Sequence, residues 1–163
     1  MLEAFTLFHV VLSMIGIGTG FVVAYGLLAS KPLDGWTAWF LTTTVATSAT
    51  GFLFPFHGFL PSYGVAVLSL IVLAIAILAR YRYSLAGAWS RTYAITAMIA
   101  LYLNVFVLIV QLFRKVPALE AIAPTQSEPP FQIAQLAVLL AFAALGIRAT
   151  MKFHGQPSRL AKV

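Results

Sequence analysis

The sequence contains no cysteine among its 163 residues. Disulfides, iron–sulfur clusters and thiolate metal sites are therefore excluded, and cysteine usage gives no indication of a redox compartment. Acidic residues are also scarce, with four Asp and Glu side chains against ten Lys and Arg. None of the four lies inside a long apolar stretch, so the carboxylates that usually relay protons in proton-driven pumps are missing.

Sequence motifs of common catalytic sites are missing as well. The sequence has no glycine-rich phosphate loop, no HExxH pair and no GxSxG elbow. A net charge of +6 is compatible with nucleic-acid binding. The basic residues, however, lie at the ends of apolar stretches and in the C-terminal tail, where membrane topology accounts for them. We therefore expect neither an enzyme nor a nucleic-acid-binding protein.

Long uncharged stretches dominate the chain. Hydrophobic residues make up 61% of it and charged residues only 9%, where a soluble domain carries roughly 25%. A run of about 20 apolar residues spans a hydrocarbon core of ~30 Å. Residues 65–79 are apolar on every side, unlike the alternating strands of a membrane barrel. We expect a multi-pass helical membrane protein, because Lys, Arg, Asp and Glu are absent from residues 4–30, 35–79, 92–113 and 129–147.

The longest uncharged stretch, residues 35–79, determines the predicted helix number. As one helix, its 45 residues would measure about 67 Å, twice the membrane thickness. The helix breakers within it are Pro55, Gly58 and Pro61, so we predict a tight turn there between two helices. The sequence thus predicts an all-α bundle in a single domain, residues 1–163, with a basic tail at 151–163. Its five transmembrane helices are expected at about 4–29, 36–54, 62–80, 91–113 and 129–150.

The basic residues predict the orientation of these five helices. Eight Lys and Arg fall on one side of the membrane and two, Arg114 and Lys115, on the other. The side with eight faces the cytoplasm by the positive-inside rule, which places the N-terminus outside and the C-terminus inside. In the outer loop, residues 117–123 (PALEAIA) begin with Pro117 and are followed by Pro124, and we expect a short helix on the membrane surface.

Polar side chains within the apolar spans share one depth. On the predicted topology they all lie in the outer half of the bundle, where the loop 114–128 could roof a pocket. Such residues either form a functional site or only join helices by hydrogen bonds. The candidate ligand-binding residues are His9, His57, Asn104, Gln111, Gln132 and Gln135.

Two histidines of this pocket could bind a cofactor. Imidazoles on different helices suit the axial positions of a b-type haem, so we predict that His9 and His57 approach the same pocket. Imidazole also suits zinc, copper or nickel, with Glu120 or Glu128 as a third ligand. The spacing of the two histidines matches no local ligand motif, and His154 lies on the cytoplasmic side.

Two further patterns concern helix packing. Residues 42–50 (TTTVATSAT) place Thr43, Thr47 and Thr50 on one helical face. That face is either a hydroxyl-lined path for a small solute or a packing surface with hydroxyls bonded to their own helix. Gly16 and Gly20 form a GxxxG pattern that allows close helix contact, within the chain, in a homo-oligomer or in a larger membrane complex.

The segments LYLNVFVLIVQLFRKVPALEAIAPTQSEPPF, residues 101–131, and ATGFLFPF, residues 49–56, resemble uncharacterised small inner-membrane proteins of proteobacteria. The resemblance implies a bacterial inner-membrane location and no activity, ligand or site residue. Three hypotheses follow from the sequence. The protein is a non-enzymatic transport or binding protein, or an accessory subunit of a membrane complex; it is a redox protein that holds one haem b or a quinone; or it is a purely structural packing subunit.

Overall fold

The computed structural model describes residues 2–54 and 61–153. About 85% of these residues are helical, and no strand occurs among them. A π-helical turn, Leu78–Arg82, extends the third helix. The helices are α1 (Leu2–Leu28), α2 (Asp34–Gly51), α3 (Pro61–Ile77), α4 (Ala88–Lys115), α5 (Pro117–Ile122) and α6 (Pro129–Lys152).

The five long helices begin and end within three residues of their expected positions. Four of them, α1, α3 with its π-turn, α4 and α6, are long and apolar enough to cross a membrane. We predicted five helices of this kind. By length and composition only four of the described helices qualify, so that prediction is wrong by one. The exception is α2, whose 18 residues include Asp34 in the first turn, six threonines and a serine.

Interhelical contacts show how the long helices run. Gly26 near the end of α1 packs against Leu33 just before α2. His9 near the start of α1 contacts Thr50 at the end of α2. α1 and α2 are therefore antiparallel. The contacts of α2 with Ser69 and Arg80 make α3 antiparallel to it, and those with Tyr93 and Asn104 make α4 parallel to it. α6 is antiparallel to α4, since Gln135 contacts Phe106 and Gly146 lies near Met98. We call the end where α1 begins the histidine end, and the end where α1 finishes the basic end.

The core lies around α4, which packs against α1, α3 and α6. Its Tyr93 and Leu101 are almost completely buried, as is Phe40 on α2. α6 lies at the edge of the bundle, where Phe142 is buried and six other large apolar side chains are 45% to 71% exposed. An apolar exterior of this kind suits a helix that faces lipid tails. The exposed α6 side chains are Ile133, Leu136, Leu139, Leu140, Ile147 and Met151.

The GxxxG glycines pack inside the chain. Gly16 and Gly20 are both buried, with Gly16 against Thr43 and Thr44 of α2. A methyl group at Gly20 would lie 2.5 Å from Leu101 Cδ1 and 2.9 Å from Phe40 Cε2. This face of α1 therefore packs against α2 and α4 within the chain.

Gly20→Ala is expected to destabilise the bundle, because the added methyl group overlaps two buried side chains. Overpacking of this kind costs about 1–3 kcal/mol. Gly18→Ala is the matched control, since nothing lies within 4 Å of a Cβ at Gly18. Thermal unfolding of the detergent-solubilised variants measures both effects. Equal midpoints for the two variants would contradict the close contact at Gly20.

Candidate functional site

Most hydroxyl groups of α2 face the interior of the bundle, whereas Thr42 is exposed. Thr37, Thr43, Thr44 and Ser48 are at most 7% exposed. Trp36 and Trp39, on the opposite face, are 51% and 62% exposed. Polar groups are costly against lipid tails unless they have partners, so this rotation of α2 is the one expected for a helix in a bilayer.

Five side-chain contacts join α2 to its neighbours. They begin at Asp34 and end at Thr50, which corresponds to about 24 Å along the helix axis. α2 therefore has a polar partner on α1, α3 and α4. The pairs are Asp34 with Arg80, Thr37 with Tyr93 at 3.3 Å, Thr44 with Asn104 at 3.2 Å, Ser48 with Ser69 at 3.1 Å, and Thr50 with His9 at 2.9 Å.

Two threonines of the buried face, Thr43 and Thr47, differ in whether their hydroxyl groups form a hydrogen bond. Thr43 donates to the carbonyl of Trp39 at 2.7 Å, which is the usual bond back to the preceding turn. Thr47 Oγ1 is buried and has no hydrogen-bond partner. Unpaired buried hydroxyls are uncommon, because each costs about 1–3 kcal/mol. The Thr47 hydroxyl therefore marks a position where a water molecule or a solute could bind.

The hydrogen bonds of His9 identify its tautomer. Thr50 donates its hydroxyl hydrogen to the carbonyl of Ala46 at 2.7 Å, so its oxygen accepts from His9. Nδ1 of His9 therefore carries the ring hydrogen, and Nε2 keeps a lone pair. Phe54 packs edge-on against the same ring, with 5.1 Å between centroids. His9 is thus held in one orientation at the histidine end.

The amide side chains predicted for the pocket do not all converge. Asn104 contacts Thr44 inside the bundle, as described above. Gln135 donates to the carbonyl of Phe106 on α4 at 3.2 Å, and its Oε1 is buried without a partner. Gln132 is exposed and donates to the carbonyl of Ser127 at 2.8 Å. Gln111 is exposed on α4.

Asn104 and Gln135 nevertheless lie at a similar depth in the bundle, although positions two residues apart are on opposite sides of α4. The carbonyl that Gln135 contacts lies two residues from Asn104, about 3 Å along α4. Thr47 is one turn from Thr44, the partner of Asn104. We call Thr44, Thr47, Asn104 and Gln135 the polar layer. Two of its four side chains carry a buried atom without a partner.

An apolar block separates the polar layer from the basic end. Phe40 and Leu101 are fully buried at the level of Gly20. They lie between Thr37 on one side and Thr44 on the other along α2. The polar layer is therefore closed toward the basic end.

Of the two histidines predicted to form a haem or metal site, the structure describes His9. His57 lies outside the described residues, so its distance to His9 is not defined. His9 Nε2 has the lone pair that an axial ligand needs. Within residues 2–54 and 61–153, no three His, Asp or Glu side chains lie close enough to hold a metal ion.

The basic end holds a cluster that the sequence analysis missed. Arg80 is 3% exposed, pairs with Asp34, and lies 5.2 Å from the ring centroid of Tyr93. It had been assigned only to the cytoplasmic basic residues. One signal was present in the sequence: Asp34 is the single acidic residue on the predicted cytoplasmic side, where eight basic residues lie.

The loop at the histidine end contains the predicted short helix, α5 (Pro117–Ile122). After it, Gln126 donates to the carbonyl of Val110 at 2.9 Å, which fixes the loop to the end of α4. Glu128 accepts a hydrogen bond from the Thr125 hydroxyl at 2.8 Å and further bonds from the backbone N–H groups of Thr125 and Ser127. The hydrogen bond from the Thr125 hydroxyl is the main reason that the pKa of the Glu128 carboxyl is below its ordinary value of 4.5.

The lowered pKa of Glu128 gives the loop a pH dependence. A carboxyl with a depressed pKa stabilises the folded loop above its ordinary pKa, and this contribution disappears as the pH falls through the depressed value. NMR titration of the Glu128 side chain should therefore give a midpoint below 4.5. Thr125→Val removes the strongest bond and should raise the midpoint. An unchanged midpoint in this variant would contradict the assignment.

Comparisons with known proteins identify no relative of this chain. Matching the chain against family models, curated proteins and solved structures finds no match. The resemblance to proteobacterial inner-membrane proteins therefore stays a prediction. Any function has to be argued from the contacts of the described residues.

Proposed function

We propose that the protein is a multi-pass membrane protein that binds or transports a small polar solute at the polar layer. The observation that carries this proposal is the buried hydroxyl face of α2, where the Thr47 hydroxyl has no partner. The Gln135 amide oxygen, in the same layer, is also buried and unpartnered. A solute with hydroxyl or amide groups can both donate to and accept from these side chains.

The solute enters from the histidine end in this proposal. Phe40 and Leu101 close the polar layer toward the basic end. The basic residues support the orientation: Arg114 and Lys115 lie in the last turn of α4, at the histidine end. The other described basic residues lie at the basic end, so the histidine end faces outward; they are Lys31, Arg80, Arg82, Arg91, Arg148 and Lys152. The bacterial inner-membrane location in this proposal is based on the resemblance of residues 101–131 and 49–56 to small inner-membrane proteins.

All five long helices cross the membrane in this proposal, including α2. Its 18 residues measure about 27 Å, close to the ~30 Å of the hydrocarbon core. Its side chains contact α1, α3 and α4 along its length, and these three helices are long and apolar enough to span a membrane. The threonines, serine and aspartate of α2 lower its hydropathy, but most of them face the other helices, and Trp36 and Trp39 lie on the lipid-facing side.

The absence of cysteine makes the topology directly testable by labelling single introduced cysteines. In intact cells, a membrane-impermeant maleimide should label Leu53→Cys and Glu120→Cys at the outer face. Lys31→Cys should react only after permeabilisation, because Lys31 and Leu53 flank α2 on opposite sides of the membrane. Equal labelling of Lys31→Cys and Leu53→Cys in intact cells would mean that α2 does not cross.

Thr47→Val tests the polar layer with glycerol as the probe. The substitution keeps the shape of the side chain and removes a hydroxyl that has no protein partner, so stability should be unchanged or higher. If glycerol uses this hydroxyl, one hydrogen bond worth about 1 kcal/mol is lost, and uptake should fall about fivefold. Light scattering of proteoliposomes after an osmotic step measures this uptake.

Thr42→Val is the matched control, because Thr42 lies on the exposed side of the same helix. This variant should take up glycerol at the wild-type rate. Two results would contradict the proposal for this solute class: wild-type vesicles no faster than protein-free ones, or equal uptake by the two variants.

A further inference from the structure

The turn between α3 and α4 lies at the basic end, where two helices long enough to cross the membrane meet. The apolar span of α3 finishes at Arg82 and that of α4 begins at Ala88, so residues 83–87 connect them. Tyr83 and Trp89 stack face to face across this turn, with 4.0 Å between ring centroids and 3° between ring planes. Tyrosine and tryptophan prefer the headgroup level of a membrane, so the turn has the composition of an interfacial segment.

The backbone of this turn is fixed by contacts with the bundle. Leu85 is 2% exposed, and its N–H bonds to the carbonyl of Ala79 at 3.0 Å. Ser84 and Leu85 have positive φ angles of 48° and 58°. Residues other than glycine keep this left-handed conformation only where the surrounding structure holds them. The turn therefore presents its side chains in one arrangement.

The two arginines that precede the turn have different surroundings. Arg80 is 3% exposed and pairs with Asp34, whereas Arg82 is exposed and lies 6.0 Å from the centroid of the Tyr83 ring. In the described part of the chain, the Arg80–Asp34 pair is the only ion pair. The three other acidic residues lie at the histidine end and are Glu3, Glu120 and Glu128. Arg82 therefore has no carboxylate partner among the described residues, and its charge is available to an anionic group outside the chain.

An apolar stripe on α3 leads from Arg82 toward the middle of the membrane. Its side chains are spaced three or four residues apart and are 37% to 54% exposed. From the first of them to Arg82 the helix rises about 16 Å, close to half of a hydrocarbon core of ~30 Å. The stripe thus covers one leaflet, with Arg82 at its headgroup level. It consists of Ile71, Ile75 and Leu78.

We propose that Arg82, the Tyr83–Trp89 stack and this stripe bind one anionic phospholipid, such as phosphatidylglycerol, from the leaflet at the basic end. The Arg82 guanidinium donates charge-assisted hydrogen bonds to the lipid phosphate, and an acyl chain packs along the stripe. A zwitterionic lipid fits less well, because its headgroup brings a second cation to the place where Arg82 already supplies one. The site requires the transmembrane placement of α3 and α4 in the proposed function, and it does not depend on the solute.

Tryptophan fluorescence can report lipid contact at this turn. Trp36→Phe together with Trp39→Phe leaves Trp89 as the single tryptophan, and both replaced side chains are exposed on α2. The full-length protein is reconstituted in phosphatidylcholine vesicles that contain a small share of one lipid with brominated acyl chains, which quench nearby tryptophans. Brominated phosphatidylglycerol should quench Trp89 more than an equal share of brominated phosphatidylcholine. One arginine near the membrane surface favours an anionic lipid by roughly fivefold, which sets the expected enrichment.

Arg82→Gln, made in this single-tryptophan background, should reduce quenching by brominated phosphatidylglycerol to the level of brominated phosphatidylcholine. Arg148→Gln is the matched control, because it removes one exposed positive charge at the same end from α6, which packs against α1 and α4. This variant should keep the excess quenching.

Two results would overturn the proposal. Equal quenching by the two brominated lipids, with Arg82 present, would mean that the turn meets only bulk lipid. An excess that survives Arg82→Gln, or that falls as much in Arg148→Gln, would mean that the basic end attracts anionic lipids without a site at this turn. Neither result changes the expected cysteine labelling or glycerol uptake, and a failure of glycerol uptake leaves this lipid site intact.

Discussion

The hydrogen-bonding requirement of α2 determines how the bundle is arranged. A helix with six threonines, a serine and an aspartate cannot present these groups to lipid tails without large cost. The helices that surround it each supply a partner: His9 from α1, Ser69 from the α3 segment, and Asn104 and Tyr93 from α4. The apolar helices have little directional preference of their own, so these few polar contacts select the rotation and register of each around α2.

Close helix contact is the second requirement, and it depends on the first. A side-chain hydrogen bond between helices has to bring heavy atoms to about 3 Å. Gly16 lets α1 approach the threonines of α2, and Gly20 lets it approach Phe40 and Leu101. In lipid, where apolar surfaces gain little from association, this van der Waals contact and the polar pairs are the main attractive terms between helices. The glycine pattern is therefore explained by packing within the chain.

The sequence predicted the helices better than their contacts. Uncharged stretches and prolines placed five helices within three residues, because membrane thickness and proline geometry act locally. The orientation of each helix about its axis was less predictable. Asn104 and Gln111 were both predicted to line the pocket, yet Gln111 is exposed, since it lies about 10 Å further along α4, level with the end of α2. Arg80 was missed because a π-turn has no simple sequence signal, and its inward direction follows from that turn.

α2 links two regions that the apolar block keeps apart. Asp34 and Thr37 belong to the basic end, whereas Thr44 and Thr47 belong to the polar layer, and one continuous helix carries all four. A solute that crossed the membrane along α2 would have to displace Phe40 from Leu101. Such a displacement requires α2 to rotate or slide, and either movement also shifts Asp34 relative to Arg80.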